Sequence, residues 1–126
     1  MRKDLTWTYE ELILVLDSYM KAGRHPLQPE NEEVQRLSHL LRGLTIHPVV
    51  QRKESFRSPD SVAMKVKEFA VLDHPDEYAA REHKAKLQEY VWDAYYLRPK
   101  ALHRMAEAVV QTFIHSEKRQ AEDEEA

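Results

Sequence analysis

The chain contains no cysteine, and this absence excludes disulfides, thiolate metal sites and thiol catalysis. Glycine is almost as scarce, at 2 of 126 residues, which disfavours tight β-hairpins and glycine-rich phosphate loops. No apolar run approaches the roughly 18 residues that span a membrane, and the N-terminus carries no signal-peptide core. We therefore expect a cytoplasmic protein with no membrane partner.

Residue patterns typical of enzyme sites are also missing. The seven histidines are scattered, and asparagine occurs once, at Asn31, so no cluster resembles the metal ligands of an HNH nuclease. The sequence has neither a Walker-type Gly-Lys-Ser/Thr nor a G-x-S-x-G elbow. We expect no catalytic residue, no bound metal and no cofactor. A cryptic nuclease that uses His47 and nearby acids stays open as an alternative.

The charge of the chain is unevenly distributed. The formal net charge is −3, but the tail residues 122–125 contribute four acids, and without them 19 cations face 18 acids. An overall negative charge argues against non-specific wrapping of DNA, although it does not exclude a localised basic face. At 126 residues with 42% hydrophobic residues, the chain is long enough for one domain with a modest core.

Apolar residues recur at the spacing of amphipathic helices along most of the chain. This pattern predicts an all-α fold with one compact domain at residues 1–116 and a charged, disordered tail or linker at 117–126. It leaves room for a short β piece near residues 46–56. The five predicted helices cover residues 9–22, about 30–42, 59–72, 82 or 86 to 97, and 99–116.

Local signals predict how the first helix begins and ends. Thr8 and Glu11 form a capping-box pattern, in which each residue satisfies a backbone N–H near the other. Trp7 and Leu12 have the spacing of a hydrophobic staple across that helix start. Gly23 is a natural stop, because glycine readily adopts the left-handed conformation that ends helices.

Side-chain patterns also predict which residues the later helices bury. His39 lies beside the apolar stripe of the second helix and is expected to be a partly buried packing residue. The fourth helix is expected to bury Leu87, Val91, Ala94 and Tyr95, flanked by an aromatic core wall of Tyr90, Trp92 and Tyr96. The fifth is expected to bury Leu102, Met105, Ala106, Val109 and Phe113.

Residues 51–67 form the most basic window, with five cations against two acids. Ser58 suits the N-cap of the third helix, and Pro59 suits its first position, where no N–H is needed. A helix N-terminus offers free N–H groups and a partial positive charge, so this window could hold a phosphate. A solvated loop ahead of an amphipathic core helix explains the same residues without any ligand.

Three stretches resemble the N-terminal domain that precedes the HNH nuclease domain of McrA-like, modification-dependent restriction endonucleases. They are WTYEELILVLDSYMKAGR at 7–24, EVQRLSHLLRGLTIHP at 33–48 and ESFRSPDSVAMKVKEFAVLDHP at 54–75. A looser likeness continues to about residue 97. The family commonly has Phe-Arg-Asn followed by a further Asn or Gly, where this chain has Phe56-Arg57-Ser58 and Ser61.

The resemblance implies a DNA-binding specificity module rather than an enzyme. Its expected partners are double-stranded DNA with a modified base, often 5-methylcytosine, and an HNH nuclease domain in cis or in trans. The candidate DNA-binding residues are the polar, basic and aromatic residues of the basic window, and a second basic group for backbone contacts: His47, Arg52, Lys53, Phe56, Arg57, Ser58, Ser61 and Lys65, then Arg98, Lys100 and Arg104.

Specific roles follow for two of these residues. Arg57 is expected to bond a base edge or a phosphate through two guanidinium N–H groups at once. Phe56 either stacks on or wedges beside a base, or anchors the loop to the core. A long loop with an aromatic residue, beside a Trp- and Tyr-rich wall, favours a base flipped out near residues 47–61. A small α-helical protein–protein interaction module without DNA binding is the alternative function.

Overall fold

The computed structural model describes residues 5–78 and 86–125, with the backbone alone at residue 50 and residues 115–125. Five α-helices dominate this part of the chain and confirm the all-α prediction: α1 Tyr9–Lys21, α2 Glu32–Gly43, α3 Pro59–Asp73, α4 Lys86–Tyr95 and α5 Pro99–Glu125. The prediction of a short β piece near residues 46–56 is wrong. The loop between α2 and α3 contains a short 3₁₀ turn, Val49–Gln51, and no strand. Among the described helices, none has the length and apolarity needed to cross a membrane.

Helix α1 is the centre of the bundle, and each of the other four helices packs against it. All nine residues from position 11 to position 19 are buried, so α1 is enclosed on every side. Burying a large aliphatic side chain contributes about 1.5–3 kcal/mol to the free energy of unfolding. The apolar residues of α1 therefore supply much of the hydrophobic stabilisation. The same burial makes any polar group on α1 depend on partners inside the protein.

Both ends of α1 follow the sequence prediction. The Thr8 hydroxyl accepts from the Glu11 N–H, and the Glu11 carboxylate accepts from the Thr8 N–H, which completes the capping box. After the helix, the Gly23 N–H bonds the Met20 carbonyl, and the next N–H bonds the Tyr19 carbonyl, which forms a Schellman motif. Gly23 has φ of 100°, a left-handed conformation that side chains other than glycine rarely adopt.

Helix α3 runs parallel to α1, and its far end is held by a polar anchor at Asp73. The Tyr19 hydroxyl donates to this carboxylate at 2.7 Å, and the Arg24 guanidinium donates to both of its oxygens. Burial raises the pKa of Asp73, but the bonds from Arg24 and Tyr19 outweigh it, so the pKa is lowered overall. Burial and the neighbouring carboxylate raise the pKa of the Tyr19 phenol.

Helix α5 runs antiparallel to α1. His103, near the start of α5, contacts Asp17 in the second half of α1 at 3.2 Å. Ten residues later, the Phe113 carbonyl accepts a hydrogen bond from the Thr45 hydroxyl at 3.0 Å. Thr45 belongs to the loop that lies beside the start of α1. The start of α5 therefore lies toward the C-terminal end of α1.

Two sequence predictions about α2 and α5 need correction. His39 is exposed rather than partly buried, since it points away from the stripe of Val34, Leu37 and Leu41. Met105 is 38% exposed, although Leu102, Ala106 and Val109 are buried as expected. Helix α5 continues through to Glu125, so its backbone covers most of the segment predicted as a charged tail or linker, and that role stays a prediction.

Helix α4 buries a different face from the one predicted. Leu87 and Ala94 are exposed, and the buried side chains are Gln88, Val91 and Trp92. The Gln88 side-chain amide donates to the Lys65 carbonyl of α3 at 3.1 Å, so a polar residue occupies the interface. A polar side chain with an internal partner can be buried, which a pattern of apolar residues does not reveal.

The two glycines give a matched test of backbone geometry. Gly23→Ala should lower the free energy of unfolding by about 1–2 kcal/mol, because a Cβ is disfavoured in the left-handed conformation and would lie 3.3 Å from the His25 ring. Gly43→Ala should leave stability unchanged or raise it by up to about 1 kcal/mol, since Gly43 is helical and its added Cβ meets open space. Urea denaturation of both variants measures the difference, and equal effects would contradict the assigned geometries.

Candidate functional site

A buried polar cluster of Glu11, His47 and Arg57 joins the loop before α3 to the central helix. The Arg57 Nε donates to Glu11 Oε2 at 2.6 Å, and Nη2 donates to Oε1 at 2.9 Å, which makes the pair bidentate. His47 Nε2 lies 2.8 Å from the same Oε1. Glu11 and Arg57 are 1% and 5% exposed, so both charges are held inside the protein. This cluster fixes the loop against α1.

Arg57 also donates to two backbone carbonyls. Nη1 donates to the Leu5 carbonyl at 3.1 Å and Nη2 to the Thr6 carbonyl at 3.2 Å, while the guanidinium lies 4.0 Å from the Trp7 ring centre. The backbone carbonyl of Arg57 accepts a hydrogen bond from the Ser38 hydroxyl at 2.6 Å. These contacts hold the Arg57 backbone at φ of 46°, a left-handed conformation that is strained for arginine.

This geometry argues against the expected role of Arg57 as a base or phosphate contact. A guanidinium that already donates to a carboxylate and two carbonyls would have to leave a buried partner in order to bind a ligand. Leaving Glu11 unpaired inside the protein would cost about 3–5 kcal/mol. Substitution of Arg57 should therefore lower the stability of the fold, whatever its effect on binding.

Arg52 and Phe56 also stabilise the loop from inside. The Arg52 guanidinium donates to the carbonyls of Arg42, Leu44 and His47 at 2.6–2.7 Å. Phe56 is 7% exposed, both Arg52 and Arg57 lie over its ring, and His47 meets the ring edge-on. Of the two roles considered for Phe56, the contacts favour the loop anchor over base stacking.

An open groove of about 440 Å³ lies outside this scaffold, at the beginning of α3. We refer to it as the α3-start groove. Six residues that the sequence singled out line it: Lys53, Phe56, Arg57, Ser58, Ser61 and Lys65. Five more complete the lining: Leu5, Trp7, Ser55, Asp60 and Met64. Two cations of the basic window, Lys53 and Lys65, therefore lie in one groove, whereas Arg52 and Lys67 do not line it.

Backbone amides contribute little to anion binding at this helix start. Pro59 has no N–H, and the Ser61 N–H bonds the Ser58 hydroxyl at 3.3 Å, as the N-cap prediction expected. The hydroxyls of Ser58 and Ser61 bond each other at 2.9 Å. The exposed carboxylate of Asp60 adds negative charge to the first turn. Attraction of an anion to this groove therefore depends on Lys53 and Lys65 rather than on the helix end.

The second predicted basic group does not share this surface. Arg98, Lys100 and Arg104 are exposed at the start of α5, toward the C-terminal end of α1. The α3-start groove lies at the N-terminal end of α1, because Trp7 and Arg57 belong to its surroundings. The bundle separates the two basic groups, so a single short ligand in the groove would not contact both.

Sequence reasoning missed three apolar residues of the groove: Leu5, Trp7 and Met64. Met64 is 63% exposed on α3. Trp7 is half-buried, with Lys65 5.9 Å from its ring centre, where the sequence indicated only a helix staple. Met64 lies off the buried stripe of Val62, Val66 and Phe69. This spacing in the sequence could have identified Met64 as a surface residue.

The part of the chain that the structure describes contains no group of three or more His, Asp or Glu residues placed to hold a metal ion. His47, the residue on which the nuclease alternative depends, is bonded to Glu11 and is only 13% exposed at its side chain. His103 lies between Asp17 and Glu107 on the far side of α1. Both histidines therefore contact carboxylates of the fold: His47 joins its loop to α1, and His103 joins α5 to α1.

Because of the Glu11–Arg57 pair, we expect the free energy of unfolding to fall in acid. Burial raises the pKa of Glu11, but hydrogen bonds and charge from Arg57 outweigh that effect and hold the pKa below its ordinary value of 4.5. The stabilisation is therefore present above pH 4.5 and is lost as the pH falls through the lowered pKa of the folded state. Glu11→Gln should cost about 3–5 kcal/mol at neutral pH, because it leaves Arg57 without its charged partner.

Urea denaturation from pH 7 to pH 3 measures both effects. The wild-type free energy of unfolding should fall more steeply below pH 4.5 than that of Glu11→Gln. Glu77→Gln serves as the control, since Glu77 is exposed in the turn after α3. Parallel pH profiles for wild type and Glu11→Gln would show that the Glu11 carboxylate does not carry this stability.

Comparisons of the chain with protein-family models, with curated protein sequences and with solved structures found no match. The likeness to McrA-like domains therefore rests on the residues of the three quoted stretches. The first stretch provides α1, and the third provides the loop and helix that form the α3-start groove.

Proposed function

We propose that this chain is a DNA-binding specificity module that recognises modified double-stranded DNA through the α3-start groove. The observation that carries the proposal is the composition of the groove, where Lys53 and Lys65 lie beside the apolar side chains of Trp7 and Met64. Cations contribute affinity for phosphates, and apolar groups contact the methyl of a modified base. The groove combines both in one surface.

Lys65 supports the phosphate contact. Its ammonium group lies 2.9 Å from Glu68 Oε2, one turn further along α3, and both side chains retain some exposure. Partly exposed pairs of this kind are worth at most about 1 kcal/mol, so a phosphate can replace Glu68 at small cost. Lys65 is thus a cation that a ligand can recruit, in contrast to the buried Arg57.

Met64 supports recognition of a methyl group. A methyl on cytosine C5 projects into the major groove without disturbing base pairing, where an apolar side chain can contact it. Met64 is 63% exposed within the α3-start groove, and the thioether side chain adapts readily to the shape of its partner. Burying one methyl contributes about 0.8 kcal/mol, or roughly a fourfold preference in affinity.

Contact with the base in the duplex groove is better supported than base flipping. A flipped base stacks on aromatic or apolar side chains. Both aromatic rings of the groove already have cations over them: Arg52 and Arg57 lie over Phe56, and Arg57 lies over Trp7. The predicted aromatic wall of α4 does not line the groove, since its described lining comes from residues 5–7 and 53–65. We therefore propose that the base stays in the duplex and that Met64 reads its methyl group.

The nuclease belongs to a separate domain in this proposal. The resemblance supports an HNH domain, joined in cis or acting in trans, that cuts the DNA which this chain has bound. The specificity module then contributes binding energy and orientation, while the metal-dependent step takes place on the partner.

Loss of Lys65 tests the phosphate contact. Log affinity for a duplex should fall linearly with log salt, and Lys65→Ala should reduce the magnitude of that slope by about 0.9, the value for one phosphate. Lys67→Ala is the matched control, because Lys67 is exposed on the same helix but does not line the groove. Equal slopes for the two variants would remove Lys65 from the interface.

A panel of otherwise identical duplexes tests the methyl contact. Wild type should bind 5-methylcytosine roughly fourfold more tightly than cytosine, and the panel extends to 5-hydroxymethylcytosine and N6-methyladenine. Met64→Ser should abolish the preference while leaving affinity for the unmodified duplex nearly unchanged. A preference that survives in Met64→Ser would place the reading residue elsewhere. A rise of 2-aminopurine fluorescence at the target position on binding would show that the base is flipped instead.

Protein binding is the second candidate function, and exposed apolar residues of the α4 region support it. Tyr90 is 64% exposed and Leu97 is 75% exposed, both outside the α3-start groove. The same titration separates the two functions, because a protein-only module shows no salt-dependent affinity for DNA.

A further inference from the structure

A second groove of about 440 Å³ lies on the other side of the first turn of α3. We refer to it as the α2 groove, and its lining residues come from α2 and from the first residue of α3: Gln35, Ser38, His39, Arg42, Gly43 and Pro59. The α3-start groove reaches Ser58, and the α2 groove reaches Pro59, so consecutive residues border the two. Both grooves are therefore open to one extended ligand.

The backbone around the α2 groove is held firmly. The Ser38 hydroxyl donates to the Arg57 carbonyl at 2.6 Å, which joins α2 to the loop immediately before Ser58. The carbonyl of Arg42 accepts from the Arg52 guanidinium at 2.6 Å, which secures the last turn of α2. The groove thus has the same rigid support as the α3-start groove.

The side chains of the α2 groove are suited to a phosphate. Arg42 is exposed, and its guanidinium makes no hydrogen bond or ion pair with any residue in the described ranges. His39 is exposed three residues earlier, on the same side of α2. The lining of this groove includes no carboxylate, whereas Asp60 lines the α3-start groove. An accessible guanidinium can bond a phosphate through two N–H groups at once.

We propose that the DNA strand bound in the α3-start groove continues across Ser58 and Pro59 into the α2 groove, where Arg42 binds a backbone phosphate. His39 lies beside that contact as a further hydrogen-bond donor. This inference rests on the proposed function and adds to it a path for the strand and a second phosphate contact. It also gives α2 a role that the basic window did not indicate.

Gly43 provides the sharpest test of the α2 groove. A side chain added there meets no atom within 4 Å of its Cβ, and Gly43 is helical, so substitution should leave the fold intact. Gly43→Glu places a carboxylate beside Arg42, and Gly43→Gln has nearly the same shape without the charge. Gly43→Glu should weaken DNA binding relative to Gly43→Gln at low salt, and the difference should shrink as salt screens the charge.

Arg42→Gln gives an independent measure. The magnitude of the slope of log affinity against log salt should fall by about 0.9 in this variant, as expected for loss of one phosphate contact. Far-UV circular dichroism of each variant checks that the helices are retained. The probe is the methylated duplex used for wild type, long enough to extend beyond both grooves.

The outcomes separate the two proposals. If Lys65→Ala lowers the salt slope while Arg42→Gln and Gly43→Glu behave like wild type, the strand does not enter the α2 groove, but the proposed function stands. If wild type shows no salt-dependent binding to the duplex, the proposed function fails and the inference fails with it. Reduced slopes for both Lys65→Ala and Arg42→Gln support one strand across both grooves.

Discussion

The buried pair between Glu11 and Arg57 is the interaction on which the rest of this structure depends. Two charges that water would otherwise solvate are enclosed at 1% and 5% exposure, and each is stable there only because the other is present. Their bond ties the loop between α2 and α3 to the central helix, and Arg57 also holds the chain that enters α1 through the Leu5 and Thr6 carbonyls. The grooves on either side of the α3 start follow from that placement.

Burial divides the basic window into two kinds of residue. Arg52 and Arg57 point inward, where they donate to carbonyls and a carboxylate, so they hold the loop in place. Lys53 and Lys65 line the α3-start groove, where a ligand could reach them. Arginine suits the first role, because its planar fork matches several fixed acceptors at once, whereas lysine carries a flexible point charge. Local net charge therefore overstates the charge that is available to a ligand.

Contacts between distant residues explain where the sequence predictions went wrong. The amphipathic pattern of α4 placed Leu87 and Ala94 in the core, yet Gln88 is buried because the Lys65 carbonyl of α3 accepts its amide proton. Likewise, Arg57 was expected to bond a ligand through two guanidinium N–H groups, and the structure gives those groups a protein partner instead. Its partner Glu11 lies 46 residues away and was identified only as a member of a capping box.

The all-α class, the capping box of α1 and the beginnings of α3 and α5 can all be predicted from the sequence. These features depend on contacts within one or two helical turns, which a linear pattern records directly. Helix packing sets three further features: which cations are accessible, which face of α4 is buried, and how far Arg98, Lys100 and Arg104 lie from the α3-start groove. Those outcomes depend on how helices pack and pair across the bundle, and burial in a packed core is a property of several segments together.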